Sequence, residues 1–179
     1  QRGKAYQGLN DYLKAEKDYE KSIALDGKNP KAYYNFGTLK FLQKEYEGAI
    51  KFFSKTIELD ENSAFAYNDR GSCYRMLEQY PRAIAEYELA LKKNPNLTFV
   101  LNNLGTTKKR AKDYVGAVAA FNRAISLDGN YYLAYNNRGA TLLEQGKLDD
   151  AERDFQKALT IKPNYAPANS NLSAVYFKK

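Results

Sequence analysis

Small and apolar residues recur along the 179-residue chain at a fixed spacing of 34 positions. Glycine forms one series: Gly3, Gly37, Gly71, Gly105 and Gly139. Alanine forms a second series: Ala15, Ala49, Ala83, Ala117 and Ala151. An aromatic residue follows each alanine by four positions, in the series Tyr19, Phe53, Tyr87, Phe121 and Phe155. Independent series do not share one period by chance, so the chain is a tandem repeat.

Each unit divides into two apolar-polar segments of about 13 residues, a pattern that predicts a pair of helices. In one unit the helices are predicted over residues 64–77 and 81–93, with Pro81 in a first turn, where proline is favoured. Gly71 and Ala83 are small enough to let the two helix backbones approach closely. Because one hairpin cannot bury its apolar face alone, the pattern predicts an all-α stack of hairpins with a continuous core.

These residues resemble the tetratricopeptide repeat along the whole chain. That family places an aromatic or leucine ahead of a Leu-Gly pair on its first helix. Here the residues four positions before the glycines are Tyr33, Tyr67, Leu101 and Tyr135. The family's proline after the second helix is present only as Pro95 and Pro163. The resemblance implies an all-α, right-handed α-α superhelix, or solenoid, of stacked helical hairpins.

The period also predicts where each repeat begins and ends within one array of residues 1–179. The bounds are a partial first repeat at 1–29, full repeats at 30–63, 64–97, 98–131 and 132–165, and the first helix of a further repeat at 166–179. About eleven helices are therefore expected. The last helix carries Leu172, Val175 and Tyr176 on the face that a neighbouring helix would cover. We expect part of a longer array, or self-association through this helix.

The opposite side of each first helix is expected to line a concave groove for a peptide or a partner helix, as the resemblance implies. At about 100° per residue, asparagine or aspartate falls at two adjacent positions of this arc in successive repeats. The residues predicted to line the groove are Tyr34, Asn35, Phe65, Asn68, Asp69, Arg75, Phe99, Asn102, Asn103, Lys109, Arg110, Asn136, Asn137 and Asn171.

The row of asparagines has two explanations. Asparagine is a mediocre residue inside a helix, so its recurrence indicates a role outside helix formation. An amide donates and accepts at once, and so can bind the backbone N–H and C=O of an extended peptide of any sequence. In this the row is similar to the asparagine ladder in the tetratricopeptide arm of O-linked N-acetylglucosamine transferases. The alternative is that the amides bond to one another across repeats or face water.

Another precedent in the family, the clamp that grips the C-terminal carboxylate of chaperones, does not match this sequence. The clamp would need a lysine in place of Tyr34, Asn68 or Asn102, and an arginine in place of Asn103 or Asn137. The sequence therefore disfavours the acidic tails of heat-shock chaperones as ligands.

The formal net charge is +7, and one segment contains most of it. Residues 91–125 hold seven basic side chains against one acidic side chain, which is 7 − 1 = +6: Lys92, Lys93, Lys108, Lys109, Arg110, Lys112 and Arg123 against Asp113. Two of them, Lys109 and Arg110, fall on the groove arc, so we expect a ligand with an acidic segment there. The alternative is RNA or another polyanion bound by the basic fourth repeat, with Phe99 or Tyr114 stacking on a base. Nucleic acid is less favoured because the basic stretch is confined to one repeat.

Composition also limits the chemistry. The chain has no histidine, and Cys73 is its only cysteine, which excludes an internal disulfide and a cysteine-based zinc site. No glycine-rich phosphate loop, nucleophile elbow or metal-spaced ligand set is present. We therefore expect a protein that is not an enzyme, with no catalytic residue, metal or cofactor. A further alternative is that the array is the substrate-recognition arm of a larger enzyme.

No segment approaches the roughly 20 apolar residues that cross a bilayer, and no secretory leader pattern is present. We expect no membrane insertion. The compartment stays open, with the cytoplasm as the expectation.

Overall fold

Eleven α-helices and no strand are formed by the part of the chain that the computed structural model describes, residues 2–9 and 11–179. The helices are α1 (Arg2–Gly8), α2 (Tyr12–Leu25), α3 (Pro30–Leu42), α4 (Tyr46–Leu59), α5 (Ala64–Met76), α6 (Tyr80–Lys93), α7 (Thr98–Arg110), α8 (Tyr114–Leu127), α9 (Tyr132–Glu144), α10 (Leu148–Ile161) and α11 (Ala166–Lys178). The predicted all-α solenoid class is confirmed. Within the described residues, no helix is both long and apolar enough to span a membrane.

Consecutive helices pack as hairpins: α1–α2, α3–α4, α5–α6, α7–α8 and α9–α10, with α11 against α9 and α10. The chain has two compact units, residues 1–93 with α1 to α6 and residues 94–179 with α7 to α11. First helices also meet within each unit, since α3 contacts α5, α7 contacts α9, and α9 contacts α11. These contacts bring together side chains that are 35 positions apart in the chain.

The core of each hairpin is built on an alanine and an aromatic ring of its second helix. In α4, Ala49 is fully buried and Phe53 is 1% exposed, and Ala117 and Phe121 of α8 are both fully buried. Burying such a ring stabilises the fold by about 1.5–3 kcal/mol. A β-carbon added to Gly105 on α7 would lie 2.6 Å from the Phe121 ring. In each hairpin the glycine of the first helix thus packs against the aromatic ring of the second helix, which explains why both series have the same period.

The turn inside each of four hairpins places one residue in the left-handed region of the backbone map. The φ angle is 63° at Lys44, 58° at Glu78, 63° at Lys112 and 74° at Gly146, four residues spaced 34 positions apart. A residue with a β-carbon is disfavoured in this region, whereas glycine, which has none, is not. Three of these turns therefore carry a residue that is unfavourable for its backbone geometry.

The structure corrects the prediction for the open face of α11. Val175 is fully buried and packs with Leu142 and Phe155, because α11 turns this side toward α9 and α10 of its own unit. Leu172 is half-buried and packs against the same cluster. Of the three predicted residues, Tyr176 is the one that is largely open, at 54% exposed. The assignment of Val175 to an uncovered face is wrong.

Candidate functional site

All of the residues predicted to line the groove lie on the first helices of hairpins or on α11. Helix α3 carries Tyr34 and Asn35, α5 carries Phe65, Asn68, Asp69 and Arg75, α7 carries Phe99, Asn102, Asn103, Lys109 and Arg110, α9 carries Asn136 and Asn137, and α11 carries Asn171. Asn68 and Asn136 are buried, Phe65 and Arg110 are exposed, and the others are half-buried. Their hydrogen bonds decide what they can offer to a ligand.

In the second unit, four asparagines on α7, α9 and α11 form a connected chain of hydrogen bonds, here called the amide ladder (Asn102, Asn136, Asn137 and Asn171). Asn137 Nδ2 donates to Asn102 Oδ1 at 2.8 Å, between α9 and α7. Asn136 Nδ2 donates to Asn137 Oδ1 at 3.1 Å. Asn171 Nδ2 donates to Asn136 Oδ1 at 3.1 Å, between α11 and α9. The amides therefore bond to one another across repeats, as one of the two explanations of the row requires.

These bonds use only part of the hydrogen-bonding capacity of each amide. A side-chain amide has two N–H donors and an oxygen with two lone pairs. In the ladder, Asn137 and Asn136 each donate once and accept once, Asn102 accepts once, and Asn171 donates once. Each amide thus keeps donor and acceptor capacity beyond the ladder bonds, and the bonds hold the amides in fixed orientations.

The first unit has a related pair at the same offset of 35 positions, but with different chemistry. Tyr34 Oη on α3 donates to Asp69 Oδ2 on α5 at 2.6 Å, and Asn68 Nδ2 donates to Asp69 Oδ1 at 2.8 Å. Burial raises the pKa of the Asp69 carboxyl, although both of these hydrogen bonds act to lower it. Burial and the nearby Asp69 charge raise the pKa of the Tyr34 phenol. A carboxylate here accepts from both neighbours, whereas an amide would donate to one of them.

A cleft of about 540 Å³ lies between α1 and α3 on the side that carries these residues. Tyr34, Asn35 and Leu42 of α3 face Lys4 and Gln7 of α1 across it. The cleft therefore has polar, apolar and basic side chains within reach of one another, which suits a peptide better than a uniformly charged ligand.

The two cations predicted to select an acidic ligand, Lys109 and Arg110, have different surroundings in the structure. Lys109 Nζ lies 2.8 Å from Glu144 Oε1 on α9, so this ammonium is paired within the chain. Arg110 is exposed at the end of α7. Arg75 is half-buried, and its Nε donates to Tyr87 Oη at 3.4 Å. Arg110 is therefore the more accessible of the two cations expected to select an acidic ligand.

Other residues of the basic segment lie on different helices. Lys93 ends α6, and its ammonium donates to Asn62 Oδ1 at 3.2 Å. Arg123 lies on α8, and its Nη2 donates to the Pro95 carbonyl at 3.0 Å. Neither residue belongs to α7, the first helix that carries Lys109.

The cysteine is placed as a core residue. Cys73 is fully buried and packs with Ala49 and Phe53. Burial raises the pKa of the Cys73 thiol to about 12. A thiol is nucleophilic as the thiolate, so at neutral pH this one is inert.

Sequence reasoning missed a set of ion pairs that join first and second helices. The guanidinium of Arg70 donates to both carboxylate oxygens of Glu86, at 3.0 and 2.8 Å, and its Nη1 donates to Ser54 Oγ on α4 at 3.0 Å. In the second unit, Arg138 contacts both carboxylate oxygens of Asp154, at 2.7 and 2.6 Å. Arginine forms such paired contacts with carboxylates because its planar N–H groups match their geometry.

The signal for these pairs was present in the sequence. The residue before each repeat glycine alternates between arginine and an apolar residue, in the order Arg2, Phe36, Arg70, Leu104 and Arg138. The residue sixteen positions later alternates in the same way, in the order Asp18, Phe52, Glu86, Ala120 and Asp154. Hairpins therefore alternate between an ionic pair and an apolar pair, with a period of two repeats.

Sequence models described as "Tetratricopeptide repeat" match the chain at residues 1–64, 64–97, 100–131 and 132–165. None of the curated protein sequences matches it.

Several solved structures have a similar fold. The crystal structure of MamA is 25% identical with a TM-score of 0.84, over 93% of this chain and 97% of that one. The structure of YrrB, described as a TPR protein with an unusual peptide-binding site, is 29% identical with a TM-score of 0.73, over 89% of this chain and 82% of that one. The first TPR of Spaghetti (RPAP3) bound to the HSP90 peptide SRMEEVD is 26% identical with a TM-score of 0.63, over 66% of this chain and 94% of that one.

Proposed function

Since this chain belongs to the tetratricopeptide repeat family, we propose that it is a protein-interaction scaffold that binds an extended peptide or a partner helix along its first helices. The amide ladder carries this proposal, because its half-buried members Asn102, Asn137 and Asn171 present oriented amides with spare donor and acceptor capacity. The family is generally one of non-catalytic interaction modules, and the burial of Cys73 agrees with a role that involves no nucleophile.

The spacing of the helices suits a ligand in extended form. Neighbouring packed helices lie about 8–10 Å apart, and an extended chain advances about 3.3 Å per residue. Each repeat should therefore meet about three ligand residues. Amides that bind backbone N–H and C=O groups make no demand on the ligand's side chains. We infer that the ladder supplies affinity, and that side chains on the same helices, such as Phe99 on α7, supply selectivity.

The similar structures support peptide binding as the mode of interaction. The description of YrrB names a peptide-binding site, and the first TPR of Spaghetti is bound to an HSP90 peptide. That ligand, SRMEEVD, is an acidic peptide. At the positions where the family's chaperone clamp needs lysine and arginine, this chain has Tyr34 and asparagines such as Asn103 and Asn137. We therefore propose peptides other than chaperone tails as its ligands.

We also propose that a modest preference for an acidic ligand segment depends on Arg110 more than on Lys109. The ammonium of Lys109 is paired with Glu144, whereas Arg110 is exposed. Exposed ion pairs contribute about 0.2–1 kcal/mol each and weaken with salt. RNA binding is the weaker alternative, since Lys93 and Arg123 lie on second helices and have partners of their own. A substrate-recognition role within a larger enzyme would use the same peptide groove.

The experiment that tests the proposal compares peptide binding by the wild-type chain with binding by Asn102→Ala/Asn136→Ala. Several unrelated peptides should each bind about tenfold more weakly to the variant, because each lost hydrogen bond contributes about 0.5–1.5 kcal/mol. The matched control is Asn130→Ala/Asn164→Ala, which removes two exposed turn asparagines. Isothermal titration gives the affinities, and circular dichroism confirms that each variant is folded.

Two additional measurements distinguish an acidic peptide ligand from RNA. Arg110→Glu should weaken an acidic peptide more than a neutral one at low salt, and Lys109→Glu should do so less. Single-stranded RNA serves as a parallel ligand. Unchanged peptide affinities in the folded ladder variant would show that the amides are structural only, and tight RNA binding lost in Arg110→Glu would favour the nucleic-acid alternative.

A further inference from the structure

A second cleft, of about 310 Å³, opens between α8, α9 and α10 and uses none of the ladder residues. Val118 and Leu142 form its apolar side, Arg138 and Asp154 form an ionic wall, and Asp150 and Arg153 form its exposed rim. Ligand pockets in proteins are commonly about 300–1,000 Å³, so this cleft has room for a side chain or another small group.

In the hairpin α5–α6, the corresponding place holds a tyrosine ring with a cation above it. Tyr74 stands 68 positions before Leu142, and Arg82 stands 68 positions before Asp150. The Arg82 guanidinium lies 4.0 Å from the centroid of the Tyr74 ring, and its Nη2 donates to Tyr74 Oη at 2.7 Å. The ring is 6% exposed and is part of the packed hairpin.

The hairpin α1–α2 repeats this arrangement. Tyr6 and Lys14 occupy the same two positions, and the Lys14 ammonium lies 5.4 Å from the centroid of the Tyr6 ring. A cation over an aromatic face is attracted by the charge distribution of the ring, so the pairing of residue types at these positions has a physical cause. Two hairpins with an ionic pair thus also contain a tyrosine–cation pair.

The hairpin α9–α10 keeps the surroundings of that ring but not the ring. Its ion pair of Arg138 with Asp154 matches the pair of Arg70 with Glu86 in α5–α6. Leu142 replaces the tyrosine, and an aspartate, Asp150, replaces the cation. The cleft lies among these residues.

We propose that this cleft is a socket for a tyrosine side chain of a partner protein. The ring would pack on Val118 and Leu142, as an aromatic anchor does in an interface pocket. The hydroxyl would donate to the carboxylate of Asp150, which is half exposed in its side chain. The Arg153 guanidinium, which is bonded to Asp150, would lie over the ring and replace the cation of the other hairpins.

The socket is tested with p-cresol, which is the side chain of tyrosine as a free molecule. Titration of the wild-type chain should shift the methyl resonances of Val118 and Leu142 in a saturable manner. The variant Leu142→Tyr/Asp150→Arg rebuilds the tyrosine–cation pair inside the chain. It should fold with equal or higher thermal stability and should bind p-cresol at least about tenfold more weakly.

The reverse exchange provides a gain of binding. Tyr74→Leu/Arg82→Asp removes the ring and the cation from α5–α6 and should create a second p-cresol site. New shifts should then appear at Ile50, which stands 68 positions before Val118. Asp150→Ala/Arg153→Ala changes only exposed rim residues and should weaken p-cresol about fivefold or more while leaving the fold intact. This rim variant keeps the test decisive if a core variant does not fold.

Several outcomes would overturn the socket. One is that p-cresol still shifts the Val118 resonances in Leu142→Tyr/Asp150→Arg. Another is that the wild-type chain binds cyclohexanol, which has no aromatic ring, as tightly as p-cresol. A third is that Asp150→Ala/Arg153→Ala binds p-cresol as the wild type does. If the wild-type chain forms dimers and Leu142→Tyr/Asp150→Arg does not, the socket binds a second copy of this chain. That result would overturn the proposal of a different partner protein. The ladder variant Asn102→Ala/Asn136→Ala should bind p-cresol normally, so failure of peptide binding and failure of the socket are distinguishable.

Discussion

At the scale of the single residue, Asp69 is the exception in its series. The equivalent positions in the other repeats, 34 positions apart, hold asparagine as Asn35, Asn103 and Asn137. A carboxylate accepts hydrogen bonds and cannot donate, so Tyr34 must be the donor in their contact of 2.6 Å. Burial raises the pKa of the Asp69 carboxyl in spite of its two hydrogen bonds. The folded chain therefore tolerates this charge with some loss of stability, which asparagine would avoid.

Asp69→Asn should remove a pH dependence of stability. A carboxyl whose folded pKa is raised binds its proton more tightly in the folded state, so the free energy of unfolding falls as pH rises above about 4. In the variant, Asn68 can still donate to residue 69, which can donate to Tyr34. The stability of Asp69→Asn relative to wild type should therefore grow over a range of pH that begins at about 4, the ordinary pKa of aspartate. Urea unfolding across this range measures the difference, with Asp128→Asn as an exposed control. A difference that does not change with pH would contradict this explanation.

The left-handed turn residues give a second prediction at this scale. Lys112→Gly should stabilise the chain by about 0.5–1 kcal/mol, since the left-handed conformation costs a residue with a β-carbon about 1–2 kcal/mol and glycine costs some entropy. Gly146→Ala, at the equivalent turn, should destabilise it by a similar amount. Thermal unfolding of both variants is the measurement. A destabilised Lys112→Gly would mean that the lysine side chain contributes more than its backbone geometry costs.

Hairpins alternate in how their two helices are joined, and this is the main feature at the scale of the element. In α5–α6 and α9–α10 an arginine and a carboxylate form a two-bond ion pair, whereas Phe36 stacks on Phe52 in α3–α4 with ring centroids 4.1 Å apart. A first helix that paired with the second helix of the adjacent repeat would place a charge against an apolar residue. Such a mismatch is costly, so the alternation favours the correct pairing.

Exchange of one pair type for the other tests this reasoning. Arg138→Leu leaves the Asp154 carboxylate unpaired at 5% exposure and should cost about 2 kcal/mol, less than for a fully buried pair because Arg138 is partly exposed. Arg138→Leu/Asp154→Ala copies Leu104 and Ala120 of the preceding hairpin and should recover most of that loss. Urea denaturation gives both values, with the exposed Lys157→Leu as control. A double variant no more stable than the single one would show that the carboxylate is not the cause.

At the scale of the whole molecule, two adjacent aromatic residues on α11 are exposed. Tyr176 is 54% exposed and Phe177 is 94% exposed, one after the other near the end of this helix. Adjacent exposed rings favour association, since burial of an aromatic side chain from water stabilises a contact. Leu172 contributes less to such a contact than expected from the sequence, because it already packs against the core of its own unit.

We predict that the chain self-associates through these rings and that Tyr176→Glu/Phe177→Glu makes it more strictly monomeric. Sedimentation velocity over a range of concentrations measures the association. Leu13→Glu/Val115→Glu, at residues that are 76% and 79% exposed on second helices, is the matched control. A wild-type chain that stays monomeric at every concentration, or an equal effect of the control, would show that α11 is not the contact.

Most of the fold could be predicted from the sequence because a solenoid is built from local contacts. Gly105 and Phe121 are sixteen positions apart, and their contact recurs in each hairpin, so the period reveals both the helices and their packing. The repeat bounds stay a prediction. The place of Val175 was wrong because the helical angle alone does not tell which neighbouring helix covers a given side.

The membership of the candidate site stays a prediction, to which the structure adds the hydrogen bonds and ion pairs of its residues. The sequence by itself determined that asparagines recur on the first helices, since a fixed period and a fixed helical angle place them on one arc. Only the tertiary structure decided that Asn137 bonds to Asn102 and that Lys109 is paired with Glu144. These partners are 35 positions apart on different helices, and rotamers select among several polar neighbours within reach. The direction of a side chain across a helix interface depends on packing in three dimensions, which a one-dimensional period does not contain.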